Sequence, residues 1–219
     1  MSPALAAARQ AWASGAPVQV TALLAGEPRE PAVLELLGVA WAAQSRWDEA
    51  LACQEALVDQ VPGQPAGWVN LANTQAALGR FDDALASLAR AEGIDPAQPA
   101  VHFNRGNVQV KQGAWADALA SFERAAQLAP GHPDPQCNRA VALRELNRLD
   151  DARTALEAVL ARHAEHAQAW NLLGTVLHRQ GCDSQALQAY QRALALQPAL
   201  ADAHGNAAQV LAQMGRTED

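Results

Sequence analysis

Prolines fall at Pro28, Pro62, Pro96, Pro130 and Pro198, at intervals of 34 residues, with Ala164 in the one skipped slot. A second column holds Ala50, Ala84, Ala118, Ala152 and Ala186 without exception. A third holds Gly38, Ala72, Gly106, Ala140, Gly174 and Ala208, always a residue with almost no side chain. A fourth holds Gly79, Gly113, Gly181 and Gly215, with Ser45 and Asn147 in its other slots. Columns that recur in phase over most of a 219-residue chain require a linear array of like units, each packed on its neighbours.

Within one period the spacing predicts two helices and two turns. From Pro65, the residues Trp68, Leu71, Ala72 and Gln75 recur at helical intervals, and Gly79 supplies a C-terminal stop. Arg80 and Phe81 make the turn, and Asp82-Asp83 open a second helix, where carboxylates oppose the positive helix end. Ala84, Leu88 and Ala91 give that helix its apolar stripe, and Asp95-Pro96 closes the unit. The same grammar returns at Trp47-Asp48-Glu49-Ala50, Trp115-Ala116-Asp117-Ala118 and Leu149-Asp150-Asp151-Ala152. About a quarter of the chain is alanine and only 5% is aromatic, which suits close-packed helices rather than a β-rich core. The expected class is therefore all-α. The Gly/Ala column marks a site where two helix backbones approach, with the invariant alanines as its expected counterpart on the second helix.

The chain resembles the tetratricopeptide repeat family, most fully at Trp170, Leu173, Gly174, Leu177, Ala186, Tyr190 and Pro198. The resemblance covers five repeats, 31–64, 65–98, 99–132, 133–166 and 167–200. Residues 1–30 read as a shortened helix pair split at Gly15-Ala16-Pro17, and 201–219 as the first helix of a sixth, incomplete repeat. The resemblance implies a right-handed superhelical solenoid of antiparallel helix pairs whose first helices line a concave groove. It also implies a non-catalytic scaffold that binds a peptide or a protein segment. Two departures stand out. Arg105 and Arg139 replace the usual leucine, which requires their stems to pack and their heads to reach water, and Gln54 replaces a common aromatic.

Asn70, Asn104, Asn138 and Asn206 occupy one column of the first helices, and Asn73 and Asn107 lie one turn further on the same face. An amide donates and accepts, so it can pair with any peptide backbone. First helices about 10 Å apart would present one amide to about every third residue of an extended strand. The series is similar to the asparagine ladder in the repeats of O-linked N-acetylglucosamine transferases. The alternative is that these amides bond between adjacent repeats and hold the solenoid itself. Val69, Phe103 and Cys137 precede three of the asparagines and offer apolar contacts, while Lys111, Arg144, His178 and Arg179 make the later part of the groove cationic, opposed by Glu35 and Glu145. Such a groove favours an acidic segment or a C-terminal carboxylate. The family's carboxylate clamp for chaperone tails needs a lysine where this chain has Glu35, Val69, Phe103, Cys137, Asn171 and Gly205, so that mode is not expected.

Net charge is −7, the only lysine is Lys111, and no stretch concentrates basic residues, which argues against nucleic-acid and anionic-membrane partners. Three cysteines fit a reducing compartment, no run reaches the length of a membrane span, and no signal peptide is apparent, so a cytoplasmic location is expected. No cofactor or metal is expected: His163 and His166 are three apart but lack further ligands, and Gly181 should separate His178 from Cys182. Asp82-Asp83 and Asp150-Asp151 read as capping and dipole partners rather than catalytic pairs. The sequence carries no Gly-rich phosphate loop, GxSxG or Cys-x-x-Cys motif. A stand-alone scaffold is the first reading, and the substrate-recognition arm of a larger glycosyltransferase, methyltransferase or hydroxylase the second. The turn Gly215-Arg216-Thr217-Glu218-Asp219 stops one residue before the expected alanine, and Ala203, Ala207, Ala208, Leu211 and Met214 give the last helix an apolar surface. Continuation into a longer product, and self-association of this chain through that helix, are the corresponding expectations.

Overall fold

The structure, a computed structural model, is described for residues 2–215, so residues 216–219 of the expected terminal turn lie outside it. Helices α1 (Pro3–Ala13) and α2 (Pro17–Leu23) form a short first pair. They are followed by α3 (Pro31–Ala43) with α4 (Trp47–Gln60), and α5 (Pro65–Ala77) with α6 (Phe81–Ile94). Next come α7 (Pro99–Lys111) with α8 (Trp115–Leu128), and α9 (Pro133–Glu145) with α10 (Leu149–Arg162). The series closes with α11 (Ala167–Arg179), α12 (Asp183–Leu196) and α13 (Ala201–Gln213). No strand occurs among the described residues, and the fold class is an all-α solenoid of antiparallel helix pairs. The helices cluster into two compact units, one up to Val108 and one from Gln109. In each, successive helices pack side by side and a first helix also touches the next first helix, as in α3·α5, α9·α11 and α11·α13.

The turn inside each pair is one repeated backbone solution. Gly79, Gly113 and Gly181 have φ of +75° to +76°, and Ser45 and Asn147 take the same left-handed region at +56° and +60°. The next amide then reaches back five residues: Arg80 N–H donates to the Gln75 carbonyl at 2.8 Å, and Cys182 N–H to Leu177 at 2.9 Å. Gly15 (φ +74°) builds the same turn between α1 and α2, with Ala16 N–H donating to Ala11. Proline at the first helical position starts α1, α2, α3, α5 and α9, where its missing N–H costs no helix bond.

The second helices correct one sequence expectation. Their opening carboxylates lie in the first turn, but the residues before α4, α6 and α10 make no side-chain cap. The acids instead bind the arginine at the turn: Arg80 Nε to Asp83 at 2.7 Å, Arg148 Nε to Asp151 at 2.8 Å, and Arg46 to Glu49.

The close approach inside a pair also differs from expectation. All five alanines from Ala50 to Ala186 are completely buried, yet they are not what meets the Gly/Ala column. A Cβ placed on Gly174 would stand 2.6 Å from Cδ1 of Tyr190, and one on Gly38 would stand 2.9 Å from Cγ of Gln54. The facing residue is thus one turn beyond the alanine. Aligned over the repeats, glycine pairs with a long residue (Gly38·Gln54, Gly174·Tyr190) and alanine with leucine (Ala72·Leu88, Ala140·Leu156). Tyr190, Phe122, Leu88 and Leu156 are all fully buried.

A polar pair varies in the same coupled way. Ser87 Oγ donates to Gln75 Oε1 and Ser121 Oγ to Gln109 Oε1, each at 2.7 Å, whereas the two later repeats hold Leu143 with Ala155 and Leu177 with Ala189. Gln54 is the exception to such matching. It is 2% exposed, and its buried Oε1 has no hydrogen-bond partner. Gln54→Met keeps the unbranched shape against Gly38 and removes the orphaned oxygen. It is expected to raise stability by about 1 kcal/mol, read as a higher urea midpoint at unchanged slope.

Arg105 and Arg139 do more than reach water. Arg105 Nη2 pairs with Glu92 at 2.5 Å and Arg139 Nε with Glu123 at 3.2 Å, each joining a first helix to the second helix of the preceding repeat.

Candidate functional site

In the first unit, α5 carries Asn70, half-buried, and Asn73, exposed, and α7 carries Asn104 and Asn107, both half-buried. Asn104 Nδ2 donates to the Ala100 carbonyl at 2.8 Å within its own helix, which leaves Oδ1 to accept from a guest. Of the three apolar residues expected to line the groove, only Phe103 is partly exposed. Val69 is 7% exposed and Cys137 3%, because both point between helices and belong to the core. Burial pushes the Cys137 thiol up to about 12, with Asp134 adding to the shift.

In the second unit, Asn138 is half-buried on α9 and Lys111 is exposed at the end of α7. Asn206 Nδ2 donates to Asn171 Oδ1 at 3.0 Å, bonding α13 to α11. Here the amide joins two repeats. Asn171, one residue out of the column, is 3% exposed, and no feature of its own position announces it as the acceptor.

Arg144, Arg179 and His178 meet in a cleft of about 190 Å³ formed by α9, α11 and α13, together with Thr175, Asn206 and Gln209. Glu145 is shared: its Oε1 accepts from Arg144 Nε at 2.8 Å and from Arg179 Nη1 at 3.4 Å. Arg144 Nη1 also donates to Thr175 Oγ1 at 3.0 Å, and that hydroxyl donates to the Leu172 carbonyl at 2.7 Å. His178 Nδ1 lies 2.7 Å from Asp183 Oδ1, so its partner is that carboxylate and not Cys182. Two guanidiniums thus divide one carboxylate, which leaves the cleft fit for a second carboxylate from a guest. The buried Tyr190 lines the cleft as well. Sequence spacing named the arginines, while Thr175 and Gln209 were missed although they continue the column of Asn73 and Asn107, because the residue type changes along it to threonine and glutamine.

Of the two histidines three apart, His166 has structural partners. His166 Nδ1 accepts from Ala169 N–H at 3.0 Å and caps α11, and its Nε2 lies 3.7 Å from Asp134. No group of three or more His, Cys, Asp or Glu able to hold a metal ion occurs among the described residues. None of the described helices is long and apolar enough to cross a membrane. On α13, Ala203 and Val210 are buried, Leu211 half-buried and Ala208 exposed. Met214, just beyond the helix, is half-buried, and the open surface mixes small residues with Asp202, His204, Gln209 and Gln213.

Models of the tetratricopeptide repeat match residues 3–65 and 69–133, residues 109–175 and residues 167–200. Over 81 residues, 37% of this chain, the sequence is 38% identical to Protein FlbA of Caulobacter vibrioides, and the matched segment spans 14% of that protein. A tetratricopeptide repeat protein from Parabacteroides merdae has a similar fold, with a TM-score of 0.81, 13% identity, and coverage of 97% of this chain and 86% of the other. So does YrrB, described as a TPR protein with an unusual peptide-binding site, at a TM-score of 0.58 and 21% identity over 75% of this chain and 85% of that one.

Proposed function

Because the chain belongs to the tetratricopeptide repeat family, we propose that it is a non-enzymatic interaction scaffold that binds a peptide or protein segment of a partner on its first helices. An acidic residue of that segment enters the cleft of Arg144 and Arg179. The carrying observation is Glu145, one carboxylate divided between two guanidiniums beside Thr175 and His178. YrrB, with its peptide-binding site, supports the same class of ligand. In this reading Asn70, Asn73, Asn104, Asn107 and Asn138 address the guest's backbone, as in the asparagine ladder of the transferase repeats. Phe103 supplies apolar contact and Lys111 adds positive charge. Asn206 contributes through its remaining donor, since one is engaged by Asn171.

The test is isothermal titration with partner segments recovered by capture on the intact chain. Arg144→Ala with Arg179→Ala is expected to weaken binding tenfold or more with little loss of helix content. Asn104→Ala with Asn138→Ala is expected to weaken it about threefold to tenfold, since a net hydrogen bond contributes about 0.5–1.5 kcal/mol. Unchanged affinity in the arginine variant would discard the acidic-segment reading. A melting point that falls in step with affinity in the asparagine variant would assign those amides to the solenoid itself. The second reading is the substrate-recognition domain of a larger enzyme; the match to FlbA, of which the segment spans 14%, supports only that such repeats occur within a longer protein.

A further inference from the structure

One position of the first helix carries the same hydrogen bond in four repeats. Trp68 Nε1 donates to the Pro62 carbonyl at 2.9 Å and Trp170 Nε1 to the Ala164 carbonyl at 2.9 Å. His102 Nε2 lies 3.2 Å from the Pro96 carbonyl and His204 Nε2 2.9 Å from that of Pro198. A carbonyl only accepts, so both histidines carry the proton on Nε2. The fourth repeat breaks the series. Gln136 stands in this position, and the carbonyl of Pro130 is reached from the other helix, by Arg162 Nη1 at 3.4 Å.

The break is not isolated. In the second repeat the corresponding notch is lined by Val58, Trp68 and Ile94 together with Asp59 and Arg90. Moving 68 residues along the chain, Trp68, Leu71, Ile94 and Asp95 become Gln136, Arg139, Arg162 and His163. The notch of the fourth repeat is a cavity of about 250 Å³, lined by Pro130, His132, Gln136, Arg139, Arg162 and His163 among others. At these four aligned positions an amide, two guanidiniums and an imidazole replace three apolar residues and an acid, while Arg90, which lines the notch of the second repeat, becomes Ala158.

The nearby acids account for only part of this charge. Glu123 pairs with Arg139 at 3.2 Å, and Asp134 lies 3.6 Å from His132 and 3.7 Å from His166. Among the described residues no carboxylate pairs with Arg162, whose bond is to a backbone carbonyl. One guanidinium therefore lies at an open cavity of mixed lining with a single bond to the protein, the one to the Pro130 carbonyl. A single carboxylate matches that excess in charge and accepts two parallel N–H bonds.

We propose that the notch between α9 and the end of α10 is a second binding site, which takes the side-chain carboxylate of an acidic segment in a partner protein. It is independent of the cleft near the other end of α9: Gln136 and Arg144 are eight residues apart, about 12 Å along the helix axis.

The test is a titration of the full chain with acetyl-(Glu)6-amide, followed by the arginine Nε–Hε resonances in NMR. Acetyl-(Gln)6-amide and inorganic phosphate serve as comparison probes. The Arg162 and Arg139 resonances are expected to shift saturably with the glutamate peptide and not with the glutamine peptide. Arg162→Ile, which installs the residue that Ile94 already provides in the second repeat, is expected to weaken that response tenfold or more. Arg192→Gln, an equal change of charge elsewhere, should change it less than twofold. Three outcomes would overturn the proposal: unmoved notch resonances, an equal loss in both variants, or phosphate saturating the notch at lower concentration than the peptide. If only Arg144 and Arg179 respond, the notch fails and the cleft reading stands. If only the notch responds, the reverse holds.

Discussion

Gly174→Ala is expected to destabilise the chain by roughly 1–3 kcal/mol, the usual cost of forcing atoms into a filled core. The new methyl carbon would lie inside the van der Waals radius of the Tyr190 ring, and that ring is 1% exposed. Gly174 has ordinary helical geometry, so the loss measures crowding and not backbone strain. Tyr190→Leu alone should also destabilise, by leaving a cavity beside glycine. Together the two changes recreate the Ala72·Leu88 and Ala140·Leu156 pairs and should recover most of the loss. A double-mutant cycle in urea is the measurement, with a coupling of about 1–3 kcal/mol expected. Strict additivity of the two losses would refute direct contact as the cause.

A second large effect is expected in alkali. Burial pushes the Tyr190 hydroxyl from 10.0 up to about 12, with the charge of Arg144 working against the shift and Asp183 adding to it. The Cys137 thiol is pushed from 9.0 up to about 12, and Cys53 is raised too, by burial partly offset by Arg29. In each case the folded chain holds its proton more tightly than the unfolded chain. The unfolded state therefore binds fewer protons above pH 9, and stability falls as pH rises. Full stability is expected below pH 9, with a progressive loss between 9 and 12 of about 1.4 kcal/mol for each unit of difference. Denaturant melts from pH 8 to 11.5 would show it, and Tyr190→Phe with Cys137→Ala should flatten the slope. An unaltered slope in that variant would assign alkaline unfolding to other groups.

The helix pairs, their turns and the left-handed slots at Ser45 and Asn147 were legible in the sequence because each repeats in phase and needs only local geometry. What was not legible depends on which side chain faces which. The invariant alanines looked like the counterpart of the Gly/Ala column, but a column of constant size cannot report a partner of varying size. The true partner, facing glycine at Gln54 and Tyr190 and aligned with alanine at Leu88 and Leu156, changes in step with it. The asparagines were visible as a series, but their bonds were not. Asn104 turns back on its own helix and Asn206 finds Asn171, a residue outside the series. Arg105 and Arg139 looked like misfits among leucines until Glu92 and Glu123, from earlier helices, came within reach.

The matched pairs set where this chain can be cut and rejoined. Gly174 and Tyr190, or Ala140 and Leu156, always belong to one hairpin, so each hairpin carries both halves of its own fit. Recombination between hairpins, near Pro62, Pro96 or Pro130, transfers every such fit intact and yields a longer or shorter array with the same interior. Recombination at the turn inside a hairpin, around Gly113 or Asn147, marries a first helix to a foreign second helix. Glycine would then meet leucine and leave a void, or alanine would meet tyrosine and collide. The array is thus divisible at one kind of turn and indivisible at the other, although the two are similar in length and equally exposed to nucleases and ligases at the level of the gene.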